Sequence, residues 1–263
     1  MGRDKKMRSF SLTGLFLFSI LLSLALPAGT VSASNETTSG TITGTETWAG
    51  VHTLTGDVTI APGAKLIINP GATIEFPNGT HLDVRGSLCA GVASCGASSN
   101  AGPAMRINLR WSEPVNASAT GECYGMSYGN QEIWIDDPSC SEGILMRSSI
   151  DLAETGLRYV TFDSAWGIPQ YISAVGEFRY GALVLDGASP TLTELSFNQI
   201  NTSSVLTTNL AQPSFNGGDF AVGIDANTGI VGAALQIYSS GSSVSPFSLS
   251  DISLTGTNNG CGN

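Results

Sequence analysis

This chain of 263 residues carries little charge, and most of the charge it has is negative. Only 12% of its residues are Asp, Glu, Lys or Arg, and the formal net charge is −10. Without residues 1–33, seven of the 11 Lys and Arg and 20 of the 21 Asp and Glu remain, which gives a net charge of −13. Nucleic acids and anionic membranes bind clustered cations, so the composition argues against both as partners.

Ligands for zinc are also scarce. His52 and His81 are the only histidines, and no Cys-x-x-Cys motif occurs among the five cysteines. Neither histidine has a recognisable partner in the sequence. We therefore predict neither a zinc site nor a catalytic triad built on histidine.

Long apolar runs are absent except at the start of the chain. Residues 1–33 combine four basic residues within the first eight positions, an apolar run over 10–26 and small residues at 31–33. This pattern is typical of a signal peptide, and the run is short for the alternative, a transmembrane helix. We predict an exported protein, secreted or held at the cell surface, with no membrane association beyond the signal peptide.

An eight-residue pattern of alternating apolar residues followed by a turn is repeated from Asp57 to Leu88. The successive units begin at Asp57, Lys65, Thr73 and His81, and they read DVTIAPGA, KLIINPGA, TIEFPNGT and HLDVRGSL. Apolar residues two apart predict short strands with one buried face. The Pro-Gly pairs predict type II turns, which favour continuing onward over folding back into a hairpin.

Three such units make one coil of roughly 24 residues, and stacked coils bury each other's faces. The stretch from Thr47 to Leu88 contains Thr47-Trp48, LTGDVTIAPGAKLIINPGATIEF and LDVRGSL. It resembles the opening of right-handed parallel β-helix proteins of the pectate-lyase-like fold, which archaea and bacteria secrete or display on their surfaces. The resemblance implies an all-β solenoid, but it does not imply one function, because this scaffold carries lyases, hydrolases, adhesins and wall proteins.

The rest of the chain is divided by composition. Residues 34–46 are rich in Ser, Thr, Gly and Glu and are predicted to be a flexible leader, and 47–263 form the β-helix domain, which opens with an N-terminal cap at Trp48. Residues 89–148 lose the eight-residue rhythm and are predicted to be a disulfide-stapled insertion. The end of the chain suggests no capping helix, so it is either an abrupt end or a truncated C-terminus.

A longer form of the repeat returns in the second half. Residues 157–162, 192–197 and 249–254 align without gaps. Their alternation predicts that Val160, Leu195 and Ile252 point inward, as do Phe162, Phe197 and Leu254. We interpret residues 182–197 and 234–254 as two copies of one coil segment. The segment between them, 203–229, is predicted to be a long loop, and such loops often carry binding residues on rigid scaffolds.

Stacking the aligned strands places four polar residues in outward columns. If their coils are adjacent, Glu194 and Asp251 approach the separation of a retaining glycosidase pair, about 5–5.5 Å. Asp163 and Asn198 offer oxygen ligands that suit calcium, and no other cofactor is predicted. The alternative in both cases is a solvated polar face.

Cysteines and glycosylation sequons fit an exported chain. Cys89 lies close to Cys95, and Cys123 lies close to Cys140, so we predict these two disulfides among the three pairings that four cysteines permit. Cys261 is left for a partner outside this chain. Four Asn-x-Ser/Thr sequons are candidates for N-glycosylation, at Asn35, Asn78, Asn116 and Asn201.

The aromatic residues Trp166, Tyr171, Phe178 and Tyr180 follow the first long repeat. They form either a platform on which a sugar stacks or a set of anchors that pin a loop to the coil.

The residues favour a non-catalytic protein over an enzyme, because no convincing catalytic set accompanies the scaffold. We predict an exported cell-surface β-helix that serves in adhesion or glycan contact, with a polysaccharide or cell-envelope glycans as partner. One alternative is a β-helix polysaccharide lyase or glycoside hydrolase that uses Glu194 and Asp251. The other alternative is a structural component of the envelope.

Overall fold

The computed structural model describes residues 37–112, 127–128, 131–132, 142–173, 175–200, 202–222, 233–238 and 248–256, all within the unit Glu36–Asn263. Its regular structure is almost entirely β, which confirms the predicted all-β class. Short 3-10 turns occur at Ala93–Cys95, Pro103–Met105 and Leu152–Glu154. No helix in the described part is long and apolar enough to span a membrane.

The strands of the described residues are short in the first half of the chain and longer in the second. The first eight are β1 (Gly40–Ile42), β2 (Thr45–Trp48), β3 (Val51–Thr53), β4 (Val58–Ile60), β5 (Lys65–Ile68), β6 (Thr73–Phe76), β7 (His81–Val84) and β8 (Ser87–Ala90). The next seven are β9 (Ile107–Trp111), β10 (Ser127–Tyr128), β11 (Gln131–Glu132), β12 (Gly143–Arg147), β13 (Gly156–Arg158), β14 (Val160–Asp163) and β15 (Ile168–Ile172). The last six are β16 (Glu177–Asp186), β17 (Thr191–Asn198), β18 (Ser203–Thr208), β19 (Ser214–Val222), β20 (Leu235–Ile237) and β21 (Ser248–Gly256).

Parallel pairing builds two large sheets. One runs in the order β1-β4-β7-β12-β16-β18-β20, with β15 added antiparallel to β16. The other runs β2-β5-β8-β13-β17-β14-β9-β6-β3, and β19 and β21 extend it from β17. Strands β10 and β11 form a separate antiparallel pair. Val58 pairs with Leu82, its counterpart three repeat units further along the chain, which is the spacing predicted for one coil.

The second sheet bends sharply along one line. Strand β13 pairs with the first half of β17 and β14 pairs with its second half, so Tyr159 between them lies level with Glu194. The same register continues to Gly217 in β19 and Asp251 in β21. All four residues have positive φ, from 50° to 73°. L-residues rarely adopt this conformation, so a row of them marks a corner that the neighbouring strands impose.

Inward side chains of both sheets form one hydrophobic core. Of the residues predicted to point inward, Val160, Leu195, Phe162 and Phe197 are fully buried and Ile252 is partly buried against this core. The prediction is wrong for Leu254, which is 68% exposed, because no described strand pairs with the outer side of β21. Five aromatic rings follow one another through this core, with centroids 4.3, 6.2, 4.7 and 5.1 Å apart. In order along the stack, these rings belong to Phe76, Trp111, Phe162, Phe197 and Phe220.

The prediction of a long loop over 203–229 is wrong for most of its length. Strands β18 and β19 occupy this range and continue both sheets, with Val205, Phe215 and Phe220 buried in the core. Their apolar alternation is obscured in the sequence by Ser and Thr residues and by two consecutive glycines at the corner. The two segments that the sequence suggested as copies are therefore separated by one further strand in each sheet, β18 in the first and β19 in the second.

The predicted leader and insertion also contain sheet strands. Strand β1 and the start of β2 fall within 34–46, where Ile42 is buried and the Glu46 carboxylate accepts a hydrogen bond from the Thr37 N–H at 3.0 Å. Strands β9 and β12 fall within 89–148, and they belong to the second and the first sheet, respectively. Trp48, where a cap was predicted, lies buried in β2, which pairs with β5.

We expect Phe197→Ala to lower the free energy of unfolding by about 3–5 kcal/mol, because it opens a cavity in the middle of the aromatic stack. Leu254→Ala is the control, since Leu254 continues the same register but is 68% exposed. It should cost less than about 1 kcal/mol. Urea unfolding of both variants measures the difference, and equal losses would contradict this account of the core.

Candidate functional site

The predicted carboxylate pair is not brought together. Strand β19 pairs with both β17 and β21, so a complete strand separates Glu194 from Asp251. Neighbouring strands lie about 4.8 Å apart, so two steps exceed the spacing of a retaining pair. The Glu194 carboxylate instead covers Gly217, where an added Cβ would collide with it. The prediction assumed that the two strands are neighbours and is wrong because strand β19 between them was not recognised.

Asp163 and Asn198 do lie side by side, as paired residues of β14 and β17. The Asp163 carboxylate has a cationic partner, since the Arg110 Nε lies 3.5 Å from its Oδ2. A guanidinium group at this distance competes with a calcium ion for the same oxygen. No group of three or more His, Cys, Asp or Glu residues suited to a metal ion occurs in the described ranges.

One predicted disulfide is present: Cys89 is bonded to Cys95, and their Cα atoms are 5.8 Å apart. Asn78 lies exposed in the turn after β6, as a glycosylation site requires. The other cysteines and the other candidate glycosylation sites lie outside the described residues: Cys123, Cys140, Cys261, Asn35, Asn116 and Asn201.

An antiparallel hairpin presents three of the four predicted aromatic residues on one face. In the pairing of β15 with β16, Tyr171 lies opposite Phe178 and Pro169 lies opposite Tyr180. Directly paired residues share a face of a sheet, so these four side chains form one surface, the aromatic face. Tyr171 is 60% exposed, and its ring meets that of Phe178 edge-on at 5.3 Å between centroids. Burial raises the pKa of Tyr180 to about 12.

The opposite face of the hairpin fixes it to the first sheet. Ile168 is buried against Leu145, Val184 and Leu206, which point outward from β12, β16 and β18. The hairpin therefore has its own small hydrophobic core behind the aromatic face. The Nε of Arg179 also donates a hydrogen bond of 2.9 Å to the hydroxyl of Tyr238 beside β20. Such backing holds the aromatic rings on a rigid element.

Glu142 is a buried carboxyl group that sequence reasoning missed. Only 1% of the residue is exposed, and its carboxylate accepts hydrogen bonds from the N–H groups of Gly79 at 2.8 Å and Trp166 at 3.0 Å. It thus joins the turn after β6 to the turn before β15. Desolvation outweighs the two hydrogen bonds and raises its pKa to about 7. The single signal in the sequence is an acidic residue directly before the apolar strand β12.

No protein-family model, curated protein or solved structure matches this chain. A parallel β architecture by itself accommodates many unrelated functions. The function must therefore be argued from the geometry of the residues described above.

Glu142 should make the free energy of unfolding fall as the pH rises. Its pKa increases from 4.5 to about 7 on folding, so the folded state holds the proton more tightly than the unfolded chain does. The stabilisation is fully present below the unfolded pKa and is lost as the pH rises through the folded pKa, by roughly 3 kcal/mol in total. Glu142→Gln keeps a carbonyl acceptor without the charge and should flatten this dependence.

Urea unfolding between about pH 4 and pH 8 measures the slope. Glu75→Gln is the matched control, because Glu75 lies on the outer side of β6 and accepts a hydrogen bond from the Thr53 hydroxyl at 2.8 Å. This control should keep the slope of the unmodified protein. A Glu142→Gln variant with an unchanged slope would show that another group controls the pH dependence.

Proposed function

We propose that the chain winds as a right-handed parallel β-helix with three strands in each coil. Three features support this architecture: parallel pairing between strands one coil apart, a core shared by both sheets, and a row of positive-φ corners. The right-handed sense follows from the strong preference of parallel crossover connections for that hand.

On this scaffold, we propose a non-catalytic protein that is exported by residues 1–33 and contacts glycans at the cell surface or outside the cell. The aromatic face is the observation that carries the proposal. It combines the exposed ring of Tyr171 with the half-buried ring of Phe178 and with Pro169, on a hairpin that a second small core holds in place. Rigid aromatic rings with a polar tip suit the apolar faces and hydroxyl groups of sugars.

An enzyme of the polysaccharide lyase or glycoside hydrolase type is less well supported. Its predicted carboxylates, Glu194 and Asp251, are two strands apart on an open corner. Acid–base catalysis also needs a carboxyl group with a raised pKa within reach of the substrate. Glu142 has such a pKa, but its carboxylate is buried and bonded to two backbone N–H groups.

Tyr171→Ala should weaken retention on the preferred glycan about tenfold, because it removes the exposed ring of the aromatic face. Val175→Ala is the matched control: Val175 is an exposed apolar residue at the turn of the same hairpin, between β15 and β16. A glycan array followed by titration on the best ligand gives the measurement.

Equal retention of both variants would show that the aromatic face does not bind the glycan. If the unmodified protein is retained on no glycan, the proposed function is wrong. In that case, a change in envelope integrity on deletion of the chain would favour a structural component of the envelope.

A further inference from the structure

Two arginine side chains lie beside one tyrosine on the outer corner of the second sheet. The guanidinium carbon of Arg106 lies 5.4 Å from the ring centroid of Tyr159, and that of Arg158 lies 5.3 Å from it. Both distances are within the range of cation–π attraction. Tyr159 is itself held at a positive φ of 50° by the corner. Two positive charges from separate segments of the chain therefore lie against one ring.

Both guanidinium groups are held in place by the protein. Arg106 donates from Nε to the Thr161 hydroxyl at 3.0 Å and from Nη2 to the Glu194 carbonyl oxygen at 2.8 Å. Arg158 donates from Nε to the Ala101 carbonyl oxygen at 3.1 Å. A guanidinium group has five N–H donors, so most donors of the pair are not used by protein acceptors within the described ranges. Both side chains are half-buried, which limits their freedom before any ligand binds.

These two arginines differ from four of the five other Lys and Arg residues that the structure describes. Lys65, Arg85, Arg110 and Arg147 each form an ion pair with a carboxylate. No carboxylate of the described residues lies within ion-pair distance of the corner arginines. This is unusual in a chain with almost twice as many acidic as basic residues. Two like charges near one ring repel each other, and a bound anion would offset that repulsion.

The acidic side chain level with Tyr159 on the next strand is turned away from the arginines. Glu194 gives Arg106 its backbone carbonyl, while its carboxylate covers Gly217. Strand β19, which contains Gly217, lies on the side of β17 opposite to β13 and β14. The Glu194 carboxylate is therefore not an ion-pair partner of either guanidinium group.

We propose that Arg106 and Arg158, which both lie against the ring of Tyr159, form an oxyanion-binding site that takes either a carboxylate or a sulfate group. Guanidinium groups match both shapes through paired N–H donors. The site lies on the second sheet and is independent of the aromatic face on the first.

Arginine side-chain NMR signals of the full chain report on this site directly. The probes are sodium sulfate, sodium glucuronate and uncharged glucose, each titrated at constant ionic strength set with chloride. We expect saturable shifts of the Arg106 and Arg158 Nε–H signals with sulfate, glucuronate or both, and none with glucose. The stronger of the two ligands identifies the oxyanion that the site takes. The absence of a saturable shift with either anion would overturn the proposal.

Arg158→Gln should weaken binding about tenfold, because it removes one charge and its unused donors. Arg110→Gln is the matched control, because it removes one positive charge from β9 that already forms an ion pair with Asp163. The anion affinity of this variant should stay within about twofold of that of the unmodified protein. Arg106→Gln should also weaken binding, but it breaks two hydrogen bonds of the corner. If the Arg106→Gln variant unfolds, the affinity of Arg158→Gln alone decides whether the proposal holds. Equal losses of anion affinity in Arg158→Gln and Arg110→Gln would show that binding arises from general electrostatic attraction, and this would contradict the proposal.

Discussion

Parallel backbone pairing between strands that are distant in the sequence is the constraint on which the rest of this structure depends. Each parallel strand satisfies its polar groups with the strands before and after it and buries its inward side chains against theirs. Neither benefit is available to a single strand, because an isolated strand would leave its backbone groups unpaired and its apolar face exposed. The rings of Phe162, Phe197 and Phe220 illustrate this, since each is buried by its neighbours in the stack.

The same pairing fixes the outer surface. Positive-φ residues recur at one level of β17, β19 and β21 because the strands are in register, and this holds the corner where Arg106 and Arg158 meet Tyr159. On the first sheet, outward apolar residues of three successive strands support the hairpin and its aromatic face. Both candidate binding surfaces therefore lie on hydrogen-bonded parallel strands, as binding residues generally lie on a rigid scaffold.

Local patterns in the sequence predicted the parts of the fold that are built locally. The Pro-Gly units predicted β4 to β7 and the coil of three units, and the alignment of the long repeats predicted the column of Val160, Leu195 and Ile252. Strand β19 was not predicted, because Gly217 and its neighbours interrupt the alternation at the corner. Missing that strand placed Glu194 too close to Asp251. Contacts between distant segments, such as those of Glu142 and Arg106, join residues 24 to 88 positions apart and leave no local pattern to recognise.

The order of strands β17, β19 and β21 in the second sheet is the most direct test of this account, and cross-strand nuclear Overhauser effects between backbone protons of the folded protein measure it. The account predicts contacts of Leu192 with Phe215 and of Phe215 with Leu249, in parallel register, and no contact between Leu192 and Leu249. An antiparallel pattern among these strands, or a direct contact of Leu192 with Leu249, would contradict it.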